Sequence, residues 1–243
     1  RMKNLLMLHG WGFSSAVFNS LKNKLDSDFI VTIPDRPGYG KRAAQTNSES
    51  SDQENLAGLS SPALVLGWSL GGIRAMQIAL GQPEMVTGLI LLATTPCFVN
   101  RQGWLRGMDN SVFATFQKQV KQEPASALQQ FVRLNAAAKP DRETRDKLAG
   151  LSTDVAEFAL NEELSELEGT DLRDTADRIT VPVLLMHATD DRVVPVAASH
   201  WLHAHLANSR LMEFPLGGHA FFIQHASEVA DQIVGQMTEF SNE

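Results

Sequence analysis

The chain has 243 residues, 43% hydrophobic and 20% charged, with 17 Gly and 10 Pro; this ordinary globular composition excludes disordered, collagen-like and fibrous repeat proteins. A single cysteine, Cys97, excludes an intramolecular disulfide and a thiolate zinc cluster, and it points to a reducing, cytoplasmic setting. The net charge is −7, yet residues 101–147 carry nine Lys and Arg against five Asp and Glu, so a +4 segment sits in a body of −11. Residues 4–8 then read as a buried strand closed by a Gly-rich turn, 17–25 as a helix with Leu21 and Leu25 on one face, and 29–33 as a strand stopped by Pro34. Residues 41–62, rich in Ser, Gln, Asn and Glu, read as a loop with one short helix at 52–59. A strand at 63–66, a helix at 70–80 ended by Gly81 and Pro83, and a strand at 88–93 follow. After Thr95-Pro96 strands give way to helical patterns at 111–122, 124–137, 141–150 and 153–167. Strand patterning returns at 183–187, then a helix at 196–206, a strand at 211–214 and a helix at 227–240.

Strands alternating with helices imply a mostly parallel sheet with crossover helices. The expected division is an α/β core over 2–96 and 171–243 and an inserted helical cap over 97–170. Arg1 precedes Met2, the expected start, and is set aside. The apolar run at 5–8 is too short for a signal-peptide core or a membrane span, so no membrane association is expected. Nucleic acid is not an expected partner, because the acidic body repels phosphate.

Gly67-Trp68-Ser69-Leu70-Gly71 lies between a strand and a helix with the Gly-x-Ser-x-Gly spacing of a nucleophile elbow. Such a turn forces the serine into a strained backbone geometry and projects its hydroxyl above the sheet. Taken alone, a Gly-rich strand-to-helix turn also suits phosphate binding at a helix N-terminus. A serine nucleophile needs a base, and the base needs a carboxylate to hold its tautomer. His219, behind Gly217-Gly218, and Asp191 both fall on loops after strand ends and complete the order Ser, Asp, His. Asp190 competes for the acid; Asp191 is preferred because it stands four residues before Pro195. His9-Gly10-Trp11-Gly12 supplies a turn after the first strand, and the N–H groups of Trp11 and Leu70 are the expected oxyanion donors. His9 reads as a structural hydrogen-bonder rather than a second base.

Through these motifs, with Asp35-Arg36-Pro37-Gly38-Tyr39-Gly40 added, the sequence resembles the α/β-hydrolase superfamily over nearly its whole length outside the insertion. Within it the chain is most similar to the pimeloyl-[acyl-carrier protein] methyl ester carboxylesterase family of biotin synthesis. The narrower pointers are residues 9–12 and 66–72, Thr95-Pro96-Cys97-Phe98, and Phe131-Val132-Arg133-Leu134-Asn135. The resemblance implies a cytoplasmic, monomeric serine esterase without cofactor or metal. It implies Ser69, Asp191 and His219 as the triad, Trp11 and Leu70 as the oxyanion hole, and substrate contacts from these two with Trp68, Phe131, Asn135 and His219. The cap's basic side chains, among Arg133, Lys139, Arg142, Arg145 and Lys147, would face an acidic acyl carrier protein; a solvated helix surface is the competing reading. Phe131, spaced with Leu128 and Leu134, reads equally well as core of the cap.

Three departures stand out. The first strand matches what is usually the third of this fold, so the sheet should be minimal. Ala188 replaces a common Gly before the acid, and the short segment 41–61 puts a crossover helix in doubt. The same fold and triad also serve enol-lactonases, carbon-carbon hydrolases and the menaquinone-pathway lyase, and a non-catalytic binding module is a remote third. His200, His203 and His205 could suggest a metal but read more simply as a helix face, and Cys97 reads as packing.

Overall fold

The computed structural model describes residues 2–45, 56, 58–59, 61–137, 140–151 and 155–239. Six strands, β1 (Lys3–Leu8), β2 (Phe29–Thr32), β3 (Ala63–Trp68), β4 (Val86–Leu92), β5 (Val183–Ala188) and β6 (Ser209–Phe214), form one sheet in the order β2-β1-β3-β4-β5-β6. Every neighbouring pair is parallel. β3 and β5 are buried at every residue and β1 at all but Lys3, as strands covered on both faces must be.

Side-chain alternation divides the interior into two layers. Leu6, Leu8, Val65, Leu89 and Leu185 face one layer, where Ile73 and Met76 of α2 (Leu70–Gly81) pack. Leu5, Met7, Leu66, Leu92 and Met186 face the other, with Leu21 of α1 (Asn19–Leu25) and Ile233 of α9 (Ala226–Glu239).

Between β4 and β5 lie α3 (Asn110–Gln122), α4 (Pro124–Leu134), α5 (Arg142–Leu151) and α6 (Glu157–Gly169), with no strand of the sheet among them. Asp109 opens α3 by accepting from the Ser111 and Val112 N–H groups at 2.8 and 3.3 Å, and Pro124 begins α4, where its missing N–H costs nothing. α7 (Ala197–His205) connects β5 to β6, and α8 (Phe221–Gln224) precedes α9.

The expected elements that fall on described residues are present with shifted ends. The helix expected from residue 17 starts as a 3₁₀ turn, Ser15–Phe18, and becomes α-helical only at Asn19. β3 runs on through Gly67 and Trp68, because both pair with β4 at Leu91 and Leu92. Most of the helix expected at 52–59 lies outside the described residues. Among the described residues no helix is long and apolar enough to cross a membrane. Since all strands point one way, the loops after β1, β3, β5 and β6 emerge at one edge of the sheet.

Candidate active site

Ser69 joins β3 to α2 with φ 56° and ψ −119°, a positive-φ conformation that costs a non-glycine residue about 1–3 kcal/mol. The surroundings leave it no alternative. Its N–H donates to the Leu92 carbonyl at 3.0 Å, and its own carbonyl accepts from Thr94 Oγ1 at 2.7 Å. A Cβ on Gly67 would lie 2.2 Å from the Gly71 oxygen, and one on Gly71 would lie 2.0 Å from the Leu8 oxygen. Only glycine at these two positions lets the elbow close against β1.

His219 is fully buried, and its Nδ1 lies 2.7 Å from Asp191 Oδ2. Trp68 Nε1 donates to the His219 carbonyl at 2.9 Å, with the two rings 5.5 Å apart. The other Asp191 oxygen accepts from the Val193 and Val194 N–H groups at 2.8 and 3.0 Å. Burial alone would raise the Asp191 carboxyl, but the charge of His219 and the hydrogen bonds of His187 and His219 hold it well below the usual carboxylate range. Asp190 takes a different place: its Oδ1 accepts from the Gly218 N–H at 2.8 Å and so steadies the loop before His219.

His219 Nε2 is buried without a hydrogen-bond partner, so Ser69 Oγ and this nitrogen are not bonded here. Contacts of this kind commonly close only when substrate arrives. Across from the elbow, a Cβ on Gly10 would lie 3.3 Å from Ser69 Cβ, which places the 9–12 turn directly on the serine. His9 is fully buried, donates Nδ1–H to the Gly10 carbonyl at 3.0 Å and accepts the Arg36 N–H at Nε2 at 3.3 Å. Burial first, then the Arg36 charge, hold its pKa well below that of a free imidazole, so it is neutral and structural. Leu70 opens α2, and its N–H therefore has no intrahelical carbonyl to bond.

A cavity of about 370 Å³ reaches Ser69 between the sheet edge and helices α3, α4 and α6. Trp11, Phe116 and Phe131 form its aromatic side, with Trp11 edge-on to both phenyl rings at 5.3 and 4.8 Å. Ser111, Thr115, Gln119 and Gln130 add a few polar groups to an otherwise apolar wall, the usual make-up of a small-molecule site.

Residues 5–232 match the profile of the alpha/beta hydrolase family. The chain belongs to the α/β-hydrolase family. It is 34% identical to the pimeloyl-[acyl-carrier protein] methyl ester esterase of Nitrosomonas europaea, over 90% of either chain. It is likewise 34% identical to the protein of that name from Aromatoleum aromaticum, over 93% of this chain and 95% of that one. Among solved structures, an esterase from Exiguobacterium antarcticum superposes with a TM-score of 0.89 at 26% identity, covering 97% of this chain and 92% of that one. An enol-lactonase from Burkholderia xenovorans LB400 shares the fold, with a TM-score of 0.83 at 18% identity over 100% and 92% of the two chains.

Of the residues expected to touch substrate in this hydrolase, Trp11 and Phe131 line the cavity, and Trp68, Asn135 and His219 are not among its lining residues, while Leu70 was expected to act through its backbone N–H rather than its side chain. Trp68 lies beneath the His219 loop, against Phe13 and Phe222 at 5.1 and 5.2 Å, because its indole N–H is spent on that loop. Asn135 turns back into its own helix, donating Nδ2 to the Phe131 carbonyl at 2.8 Å, while its backbone oxygen accepts from Ala220 at 2.9 Å.

Two residues near Asp191 were not singled out from sequence. His187 Nε2 lies 3.0 Å from Asp191 Oδ2 and 2.9 Å from the Val194 carbonyl, and its Nδ1 lies 2.7 Å from Ser199 Oγ. A carbonyl can only accept, so Nε2 carries the proton and Asp191 is held between two imidazoles. The signal was a histidine ending an apolar strand four residues before the acid. Arg192 Nη2 donates to the Ala136 carbonyl at 3.2 Å, tying the Asp191 loop to the end of α4.

A second, wider groove of about 860 Å³ between α4 and α5 presents Arg133, Arg142, Arg145 and Arg192 against one acid, Asp146. Lys139 lies outside the described residues, and Lys147 is exposed but off this groove. Among the described residues no cluster of three His, Cys, Asp or Glu could hold a metal. His200 pairs with Glu213 at 2.8 Å and His205 stacks on Trp201 at 3.8 Å. Cys97 is buried, and its thiol donates to the Val99 carbonyl at 3.3 Å.

Proposed function

We propose that this hydrolase is a serine carboxylesterase cleaving the methyl ester of pimeloyl-[acyl-carrier protein] in biotin synthesis. The observation that carries the chemistry is the Asp191–His219 contact together with a strained Ser69 that lines a mostly apolar cavity. Support for the substrate comes from relatives bearing that name at 34% identity over nine-tenths of the chain.

Ser69 Oγ attacks the ester carbon while His219 Nε2 takes its proton. The N–H groups of Trp11 and Leu70 receive the developing oxyanion. Collapse expels the methoxy group, to which His219 returns the proton, leaving methanol and an acyl-enzyme. A water deprotonated by His219 then attacks the acyl carbon, and as that intermediate collapses His219 returns the proton to Ser69 Oγ, freeing the acid and restoring the free serine. Asp191 stays ionised throughout, holding the Nδ1–H tautomer and stabilising the imidazolium. The steps balance with three side chains and two backbone donors, without a cofactor.

In this reading residues 97–170 act as a cap, with the pimeloyl chain in the cavity among Trp11, Phe116 and Phe131. The groove of Arg133, Arg142, Arg145 and Arg192 would face the acidic carrier protein. Purified protein should hydrolyse methyl-pimeloyl-[acyl-carrier protein], and Ser69→Ala should abolish this. Cleavage of short activated esters through Ser69 with the carrier-bound ester untouched would leave the triad standing and remove the biotin assignment.

A further inference from the structure

A buried charge cluster that the triad does not use joins the turn after β1 to helix α6. Arg36, 4% exposed, donates Nε to Glu163 Oε1 at 2.6 Å and Nη2 to Glu163 Oε2 at 3.1 Å. The Tyr39 hydroxyl donates to the same Oε2 at 2.5 Å. The other side of the guanidinium faces the 9–12 turn, where Nη1 donates to the His9 carbonyl and Nη2 to the Gly10 carbonyl, the latter at 3.2 Å. His9 Nδ1 is a second donor to the Gly10 oxygen, at 3.0 Å.

Among the described residues every peptide bond is trans, and in a trans peptide the carbonyl and the following N–H point in opposite directions. A Gly10 carbonyl doubly held by Arg36 and His9 therefore turns the Trp11 N–H away from the charge cluster. Trp11 and Ser69 line the same cavity, and Gly10 packs on Ser69. A buried ion pair is weak evidence for stability, because an apolar pair of similar volume often serves as well. What the apolar pair lacks is a fork of donors that bonds a carboxylate on one side and two carbonyls on the other.

We propose that Arg36 is a positioning residue for the oxyanion hole: clamped by Glu163 of α6, it locks the Gly10–Trp11 peptide so that the Trp11 N–H meets the ester oxygen. This rests on the reading of Ser69 as nucleophile and of the Trp11 N–H as a donor. It also makes the hole depend on the segment between β4 and β5, since Glu163 comes from there.

The test compares wild type, Ser69→Ala, Arg36→Lys and the double variant Arg36→Met/Glu163→Gln. Readouts are hydrolysis of p-nitrophenyl butyrate, inhibition by an aliphatic trifluoromethyl ketone and thermal unfolding. Lys is a point charge that cannot bridge the two carbonyls and the carboxylate. Arg36→Lys should therefore lose about 10²-fold in kcat with KM within about twofold, the scale of one lost oxyanion donor. Affinity for the ketone, whose serine adduct carries the oxyanion, should fall by a similar factor. The double variant leaves no lone buried charge and keeps an acceptor for Tyr39, so it decides the matter if Arg36→Lys does not fold; the same paired losses are expected. A folded variant that keeps kcat and ketone affinity, or loses kcat alone, overturns the proposal. Undiminished hydrolysis by Ser69→Ala would instead overturn the reading beneath it.

Discussion

Asp191 and Asp190 are adjacent carboxylates with different partners, and their amides should separate their roles. Asp191→Asn presents an N–H donor or a weaker acceptor to His219 and favours the wrong tautomer, so kcat on any ester should fall by about 10⁴-fold with KM little changed. In Asp190→Asn the amide oxygen can still accept from Gly218, and the loss should stay below about tenfold, by steady-state kinetics. The pH dependence of stability has a definite sign. His9 is held neutral in the fold while a free imidazole binds its proton near 6.5, so the unfolded chain takes up the extra proton. The contribution of a neutral His9 is fully present above about pH 6.5 and falls as pH drops below it. Urea midpoints at pH 7.5 and 5.5 should show this fall, and His9→Gln, which cannot titrate, should reduce it. The depressed Asp191 acts lower, being stabilising above the normal carboxylate range near 3.8 and losing that contribution as pH falls through its folded value. Ser69, Asp191 and His219, the proposed triad, could be put forward from the sequence because each sits in a short motif next to a strand end, and the structure brings the last two into contact. His187 and Arg36 could not, because their meaning lies in partners: Arg36 meets Glu163 127 residues away. The places of Asn135 and Trp68 were hidden for the same reason: the amide of the first bonds back to the Phe131 carbonyl of its own helix, and the indole N–H of the second bonds to the His219 carbonyl.

Helix α4 and the turn that ends it serve two neighbours at once, presenting Phe131 to the cavity and the Asn135 and Ala136 carbonyls to the loops that carry His219 and Asp191. Phe131→Ala would remove a ring standing edge-on to Trp11. KM for long-chain esters should rise about tenfold, against little change for acetate esters, since an apolar pocket discriminates by about 1–3 kcal/mol for each methylene it can or cannot cover. Chain-length profiles of p-nitrophenyl esters would measure it. All six strands were legible as elements, through apolar runs bounded by Gly and Pro. Their ends were not, because pairing rather than composition sets them: β6 begins at Ser209 because that residue pairs with Val183. The joint between α4 and the His219 loop has no signature in composition at all; it consists of backbone groups, with the Ala220 N–H donating to the Asn135 oxygen.

At the scale of the whole molecule, charge is unevenly spread, with a net −7 overall and four arginines along one groove. If the groove receives an acidic carrier, attraction acts over a Debye length of about 8 Å at physiological salt. Raising salt from about 50 to about 500 mM should then reduce kcat/KM on the carrier-bound ester by about tenfold or more. Hydrolysis of a small neutral ester should hardly change, and equal responses would remove the groove from the account of binding.

The sheet order carries a consequence for synthesis. β1 lies inside the sheet, between β2 and β3, and the turn it leads into is made long before His219 of the proposed triad. A ribosome that stalls before β6 releases a polypeptide with Ser69, the 9–12 turn and Asp191 already present, but with β5 as an exposed sheet edge and without His219. Such fragments would be prone to association and, on the proposed mechanism, silent as esterases, so catalysis in a cell extract would count only molecules that had reached His219.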